Sequence, residues 1–284
     1  MTITDWEQAE VDAANETGRR AMMFVHGLWL LPNSWEKWRA RFEETGWPTL
    51  APGWPDDPRT VEEARAHPEV FAGKSVGQVA DHLAEVIGAL DQAPVIVGHS
   101  FGGLLTQKLT GMGLAHASVA IDPAQFRGVL PLPLSALRGA FPVLKNPANR
   151  KKAVTLTLEE FRYGFANAVP MDEAERLYEE HHVACSGIPL FQVATANLNP
   201  KTEASVDVAQ PSRGPLLIIS GEKDHLVPWS VANAQFKRWS KHAAGAPTEI
   251  VEMPERGHSL IIDSEWLGVA DTALEFLDRQ GVKP

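Results

Sequence analysis

The chain has 284 residues, 44% of them hydrophobic and 22% charged, with a formal net charge of −10. It is long enough to bury one or two cores, and its negative balance argues against binding nucleic acid or anionic membrane surfaces, which attract basic patches. A single cysteine, Cys185, excludes an intrachain disulfide and any Cys-rich metal site, and fits a reducing, cytoplasmic compartment.

The first 12 residues are acidic and lack a basic segment followed by an apolar run, so they do not read as a secretory signal. The apolar runs are strand-sized, so no membrane insertion is expected. Ala21–Val25 reads as a buried strand ending at His26-Gly27. Trp29, Trp35 and Trp38 follow, the last two in a helical pattern over residues 34–46. Thr49–Ala51 reads as a short strand running into the loop Pro52-Gly53-Trp54-Pro55, and residues 56–74 as an irregular excursion.

Ser75–Leu90 carries the clearest helical signal. Val76, Val79, Ala80, Leu83, Val86, Ile87 and Leu90 share one face, and Ser75 with Gln78 forms a capping-box signature. Pro94–Val97 reads as a strand, Leu104 onward as a helix, and Ala117–Ile121 as a strand ending at Asp122-Pro123. Near residue 125 the alternation lapses into a Pro-punctuated stretch with helical pieces at Leu158–Ala166 and Asp172–His182. It returns with strand Leu216–Ser220, helix Ser230–Ala244, strand Ile250–Met253 and helix Ser264–Arg279. Strands alternating with helices over short links predict an α/β fold, a mostly parallel sheet with helices on both faces. A core over 1–124 and 213–284 is interrupted by a helical insertion, 125–212.

Gly98-His99-Ser100-Phe101-Gly102 fits the G-x-S-x-G elbow, and it lies between a predicted strand and a predicted helix. A sharp strand-to-helix turn strains the residue at the bend and exposes it. Gly98 and Gly102 let strand and helix approach. The helix N-terminus then favours negative charge beside Ser100. The alternative is a tight turn without chemistry.

Serine is a weak nucleophile until a base activates it. His258, directly after the last strand, would hang over the carboxyl edge of the sheet. His67, His116, His181, His182 and His242 read as solvated, and His26 as a brace for its own loop. Asp224, on the loop after Leu216–Ser220, is placed to orient His258, with Asp122 a rival because it too ends a strand. The order Ser100, Asp224, His258 is that of the elbow hydrolases. Two N–H groups, from Phe101 and Leu28, are expected to form the oxyanion hole.

Together, Phe24-Val25-His26-Gly27, Gly98–Gly103, Gly221-x-x-Asp224-x-x-x-Pro228 and Gly257-His258 resemble the α/β-hydrolase superfamily. The closest likeness is to its small capped esterase, lactonase and epoxide-hydrolase-like branch. The resemblance covers most of the chain. It implies that Ser100 attacks a carbonyl, that His258 takes its proton, that Asp224 steadies His258, and that water cleaves the acyl-enzyme. It also implies a lid over 125–212, and needs no cofactor and no metal. A serine at the elbow argues against haloalkane dehalogenases and epoxide hydrolases, which use Asp there. The chain departs from the family in having only about 20 residues before the first strong strand, which puts its two leading strands in doubt.

Trp29, Trp54 and Trp229 each follow a strand at the catalytic edge and are candidates to bind substrate, with Phe126, Phe161, Phe165 and Phe191 from the lid. Over 125–212 Lys plus Arg and Asp plus Glu number nine each, so no ionic substrate is expected. The expected function is hydrolysis of a small apolar or aromatic carboxylic ester or lactone, by a monomer or homodimer. Carbon–carbon bond hydrolysis, amide or carbamate cleavage and cofactor-free perhydrolysis use the same triad. A hydroxynitrile lyase would need a cation, for which Lys223 is a weak candidate. A non-catalytic ligand-binding protein on the same fold is the reading from another class.

Overall fold

A computed structural model describes residues 2–242 and 246–284. In chain order the elements are α1 (Asp5–Glu16), β1 (Met22–Val25), α2 (Glu36–Glu44), β2 (Thr49–Leu50), α3 (Val61–Ala66), α4 (Val76–Gly88), β3 (Val95–His99), α5 (Phe101–Gly111) and β4 (Ala117–Ile121). Then come α6 (Leu134–Leu144), β5 (Ala153–Val154), α7 (Leu158–Gly164), α8 (Met171–His181), β6 (Cys185–Ser186) and α9 (Ile188–Ala194). The chain closes with β7 (Leu216–Gly221), α10 (Trp229–Lys241), β8 (Thr248–Met253) and α11 (Trp266–Arg279). Ala243 and Ala244, the end of the expected helix 230–244, lie outside the described residues.

β2-β1-β3-β4-β7-β8 form one sheet, parallel throughout, while β5 and β6 pair as a small antiparallel ribbon. From β1 the chain first steps outward to β2, then returns to the other side of β1 as β3. That reversal opens a crevice beyond the carboxyl ends of β1 and β3, where open α/β sheets bind ligands. The register aligns the ends: Val25 pairs with Gly98, His99 with Ile121, and Ile121 with Ile219. The loops carrying Leu28, Ser100, Asp122 and Asp224 therefore leave the sheet at one edge.

The strands read as continuous apolar runs because both faces are covered; every residue of β1, β3, β4 and β7 is buried. Phe24 stacks on Trp35 at 5.1 Å and Trp38 on Phe42 at 5.9 Å between ring centroids. The expected capping box is present, with Ser75 N–H donating to Gln78 Oε1 at 2.9 Å. No leading strand precedes β1 among the described residues. The polar start instead forms α1, closed by a second box in which Thr4 and Glu7 cap each other. The excursion 56–74 contains α3, so it is less irregular than expected.

The helices between β4 and β7 do not make a core of their own: Phe126, Val143, Phe161 and Leu177 join the same apolar cluster as the sheet. Among the described residues no helix is long and apolar enough to cross a membrane.

Close approach at the elbow has a measurable consequence. A Cβ at Gly102 would overlap the Val25 carbonyl oxygen and lie 2.7 Å from that of His26. Backbone atoms cannot swing aside as a side-chain tip can. Gly102→Ala should therefore lower stability by at least about 1–3 kcal/mol, read as a lower urea midpoint. An unchanged midpoint would show that β1 and α5 are not in this contact.

Candidate active site

Ser100 has φ 57° and ψ −120°, a conformation that side chains rarely adopt, and it joins β3 to α5. Its backbone holds it there. Ser100 N–H donates to Ile121 C=O at 2.9 Å, and Ser100 C=O accepts from Ala124 at 2.9 Å and Leu104 at 3.1 Å. Gly27 lies directly over the bend: a Cβ on it would be 2.9 Å from Ser100 Cβ and 3.3 Å from the Phe101 nitrogen. Among the described residues neither the Leu28 nor the Phe101 N–H is spent on a protein acceptor. Two open donors thus flank Ser100.

His258 Nδ1 is 2.6 Å from Asp224 Oδ2, and both side chains are fully buried. Asp224 Oδ1 accepts the N–H groups of Leu226 at 2.6 Å and Val227 at 3.0 Å. Burial alone would raise the Asp224 carboxyl; attraction to His258 and these hydrogen bonds outweigh it and lower the carboxyl below its ordinary range. The His258 ring packs on His99, the residue before Ser100, at 4.5 Å, with Phe165 edge-on at 4.9 Å. Its Nε2 is buried and has no hydrogen-bond partner among the described residues. The loop carrying it is braced by the buried Arg256–Asp263 pair, by Ser259 on Asp263 at 3.1 Å, and by Trp38 Nε1–H donating to Ile261 C=O at 2.9 Å.

Of the two rival acids, Asp224 is the one in contact with His258 Nδ1. Asp122 Oδ1 instead accepts the Gly221 N–H at 2.8 Å. Burial pushes its carboxyl well above the carboxylate range, and the neighbouring Asp224 carboxylate pushes the same way. Both influences favour the protonated form of Asp122, whose Oδ2 is buried and has no hydrogen-bond partner among the described residues. His99, Asp122 and His258 each bring a ligating atom within 4.8 Å of the others. A cation there would need an ionised Asp122, against the direction in which burial pushes its carboxyl, so the trio as arranged is a poor metal cradle.

A family model described as "Alpha/beta hydrolase family" matches residues 22–272. The chain belongs to the alpha/beta hydrolase family. No curated protein gives a significant sequence match. Among solved structures, a monoacylglycerol lipase of Paleococcus ferrophilus is similar at TM-score 0.62 and 20% identity, over 91% of this chain and 94% of that one. A pyrethroid hydrolase from Sphingobium faniae JZ-2 follows at TM-score 0.60 and 18% identity, over 91% and 97%. An extracellular alpha/beta-hydrolase from a Paenibacillus species gives TM-score 0.59 and 15% identity, over 90% and 98%. At these identities the likeness is one of fold.

In this hydrolase Ser100 opens on a cleft lined by Trp29, Phe101, Leu137, Leu190, Val193 and Leu226 among others. Its polar side chains are Ser100, Gln125 and the Trp29 indole, whose N–H is already given to the Val154 carbonyl at 3.1 Å. No charged side chain lines it among the described residues.

Of the three tryptophans, only Trp29 reaches the cleft. Trp54 is a correction: it stacks on His26 at 5.8 Å and its Nε1–H donates to the His26 carbonyl at 3.3 Å. Trp229 is a second: it opens α10, and the cleft there is lined instead by Val227 and Val231. Of the four phenylalanines none lines the cleft, although Phe165 covers His258. Lys223 pairs with Glu255 on the surface. His182, expected to be solvated, is buried; its Nε2 accepts the Leu156 N–H at 3.1 Å, and burial lowers its pKa to about 3. Burial likewise takes His181 down to about 4.

His26 braces its loop, as expected, through a partner the sequence did not reveal. Its Nε2 is 3.0 Å from Asp57 Oδ2, and its Nδ1 is 2.9 Å from the Gly27 carbonyl oxygen. Gly27 C=O and Leu28 N–H belong to one rigid peptide plane and point opposite ways. Holding the carbonyl on His26 therefore aims the Leu28 N–H away from it.

Proposed function

We propose that this protein is a serine hydrolase cleaving carboxylic esters with an apolar acyl or alcohol part. The observation that carries the reading is the 2.6 Å contact of buried His258 Nδ1 with Asp224, set against the elbow that holds Ser100. Ser100 Oγ adds to the ester carbonyl and passes its proton to His258 Nε2, the nitrogen without a partner. The carbonyl oxygen becomes an oxyanion received by the Leu28 and Phe101 N–H groups at the N-terminus of α5. His258 then protonates the leaving alcohol, and water attacks the acyl-enzyme in a second pass, restoring Ser100 and releasing the acid. Ionised Asp224 holds His258 in the tautomer that presents a bare Nε2.

The apolar lining, free of charge, favours a neutral substrate. The segment 125–212 covers His258 through Phe165 and acts as the lid of the site. The protein requires no cofactor in this scheme, acts as a monomer or homodimer, and works in the cytoplasm, where its one thiol, Cys185, is buried.

The test is labelling with a fluorophosphonate followed by peptide mapping, and turnover of p-nitrophenyl esters of increasing acyl length beside ring lactones. Modification at Ser100 with faster turnover of longer acyl chains is expected. Labelling at another residue, or none alongside no turnover, would overturn the reading. Preference for lactones over every open ester would narrow it to lactonase chemistry.

A further inference from the structure

The balanced charge of 125–212 conceals a division. From Pro123 to Leu158 there is no acid, while Arg127, Arg138, Lys145, Arg150, Lys151 and Lys152 supply positive charge in a chain of net charge −10. The same stretch holds most of the protein's exposed large apolar side chains. Leu130 is 77% exposed, Leu134 84% and Phe141 61%. Leu132 and Leu137 are exposed too, and both also line the Ser100 cleft. The apolar patch is thus continuous with the mouth of the site.

Water-exposed leucines in a row are unfavourable unless something covers them. The charges beside them indicate what that is. Along the chain this stretch is flanked by Asp122, which is buried, and by Glu159 and Glu160 at the start of α7, and Glu160 already pairs with Lys145 at 3.8 Å. Arg138 lies 4.0 Å above the Tyr163 ring. Arg150, Lys151 and Lys152 are exposed. Counting both glutamates still leaves a positive surplus beside the apolar patch. Exposed Leu and Phe flanked by Lys and Arg are the composition of a segment lying in the headgroup region of an anionic bilayer. The rest of the surface is negative and would be repelled, which leaves one productive orientation.

We propose that the segment 127–152 docks this protein on an anionic phospholipid surface, with Leu130, Leu134 and Phe141 entering the headgroup layer and the mouth of the Ser100 cleft facing the lipid. Apolar substrate then passes from the lipid into the cleft without crossing water. The net charge argues against anionic membranes for the chain as a whole; the segregation of charge reverses that expectation for this face.

The test is co-sedimentation of the full chain with vesicles of phosphatidylcholine alone or mixed with phosphatidylglycerol, at low and high salt. Pelleting with the phosphatidylglycerol vesicles is expected, weakened by salt because charge contributes. Leu134→Glu with Phe141→Glu should weaken it at least tenfold, and Lys151→Ser with Lys152→Ser should weaken it on anionic vesicles. These side chains are exposed and outside the site, so fluorophosphonate labelling at Ser100 should persist and serves as a control separate from the binding assay. Absence of pelleting with anionic vesicles, equal pelleting with both vesicle types, or undiminished pelleting of the Leu134/Phe141 variant would overturn the proposal. So would a dimer in sedimentation velocity that the same two substitutions dissolve, since a second copy would then cover the patch.

Discussion

Ser100→Ala is expected to reduce kcat/KM for a p-nitrophenyl ester by at least about 10⁴-fold, with His258→Ala alone costing as much as both together. The reason is cooperative. His99, the other imidazole at the bend, is a poor substitute base for Ser100 Oγ: burial drives its pKa well below the ordinary range, His258 pushes it the same way, and its ring accepts a proton weakly. Conversely, His258 Nε2 has nothing to deprotonate once Oγ is gone. Residual turnover should come from the Leu28 and Phe101 donors and from binding. A purely additive pair of losses, or more than a tenth of turnover left in Ser100→Ala, would sink the assignment. Stability gives a second readout at the same residue. Ser100 sits at φ 57°, which alanine tolerates no better but glycine adopts freely. Ser100→Gly should therefore be as inactive as Ser100→Ala yet more stable by about 1 kcal/mol, the scale of backbone strain stored at such positions.

How much of this site could be read from the chain follows from what each part depends on. Gly98, Ser100 and Gly102 are legible because their jobs are local: five consecutive residues must turn a strand into a helix. Asp224 and His258 are legible because each immediately follows a strand, and parallel strands deliver such loops to one edge. The Ser75–Gln78 box is legible because its spacing is its mechanism. Asp57 is not, because nothing in Pro55-Asp56-Asp57-Pro58 shows that a histidine 31 residues earlier will meet it. Trp54 and Trp229 have the right address by chain order, but a side chain's direction depends on the loop's path, which turned Trp54 onto His26. Helix α1 was within reach: Thr4-x-x-Glu7 is the same box as Ser75-x-x-Gln78. It was obscured because its face is mostly polar, and its buried Glu7 depends on a distant His82, 2.8 Å away.

The segment 125–212 shows the converse. Summed over 125–212 the charges cancel, and the sum hides a basic half followed by an acidic one. Local order along the chain, not total composition, carries the information about what this surface meets.

The two aspartates at the carboxyl edge offer the sharpest comparison. Asp224→Asn should lower kcat by about 10⁴-fold, because a carboxamide N–H in place of Oδ2 would turn His258 into the wrong tautomer. Asp122→Asn should stay within about tenfold of the parent. Burial favours the uncharged form of Asp122, and a carboxamide matches that form in charge and in offering an acceptor to the Gly221 N–H. Stability should separate them further. Asp122 in the folded protein keeps its proton to higher pH than in the unfolded chain, so the folded state binds more protons once the pH exceeds the ordinary carboxylate value of about 3.9. Stability therefore falls with rising pH in that window, and Asp122→Asn removes the fall. The variant should gain on the parent progressively from about pH 4 toward neutrality, seen as a growing difference in Tm. Asp224 has the opposite sign: its lowered carboxyl contributes stability above the ordinary value and loses it as pH drops. A loss of more than about 100-fold on Asp122→Asn, or a Tm difference that does not grow with pH, would mean that Asp122 works as a carboxylate and shares in orienting His258.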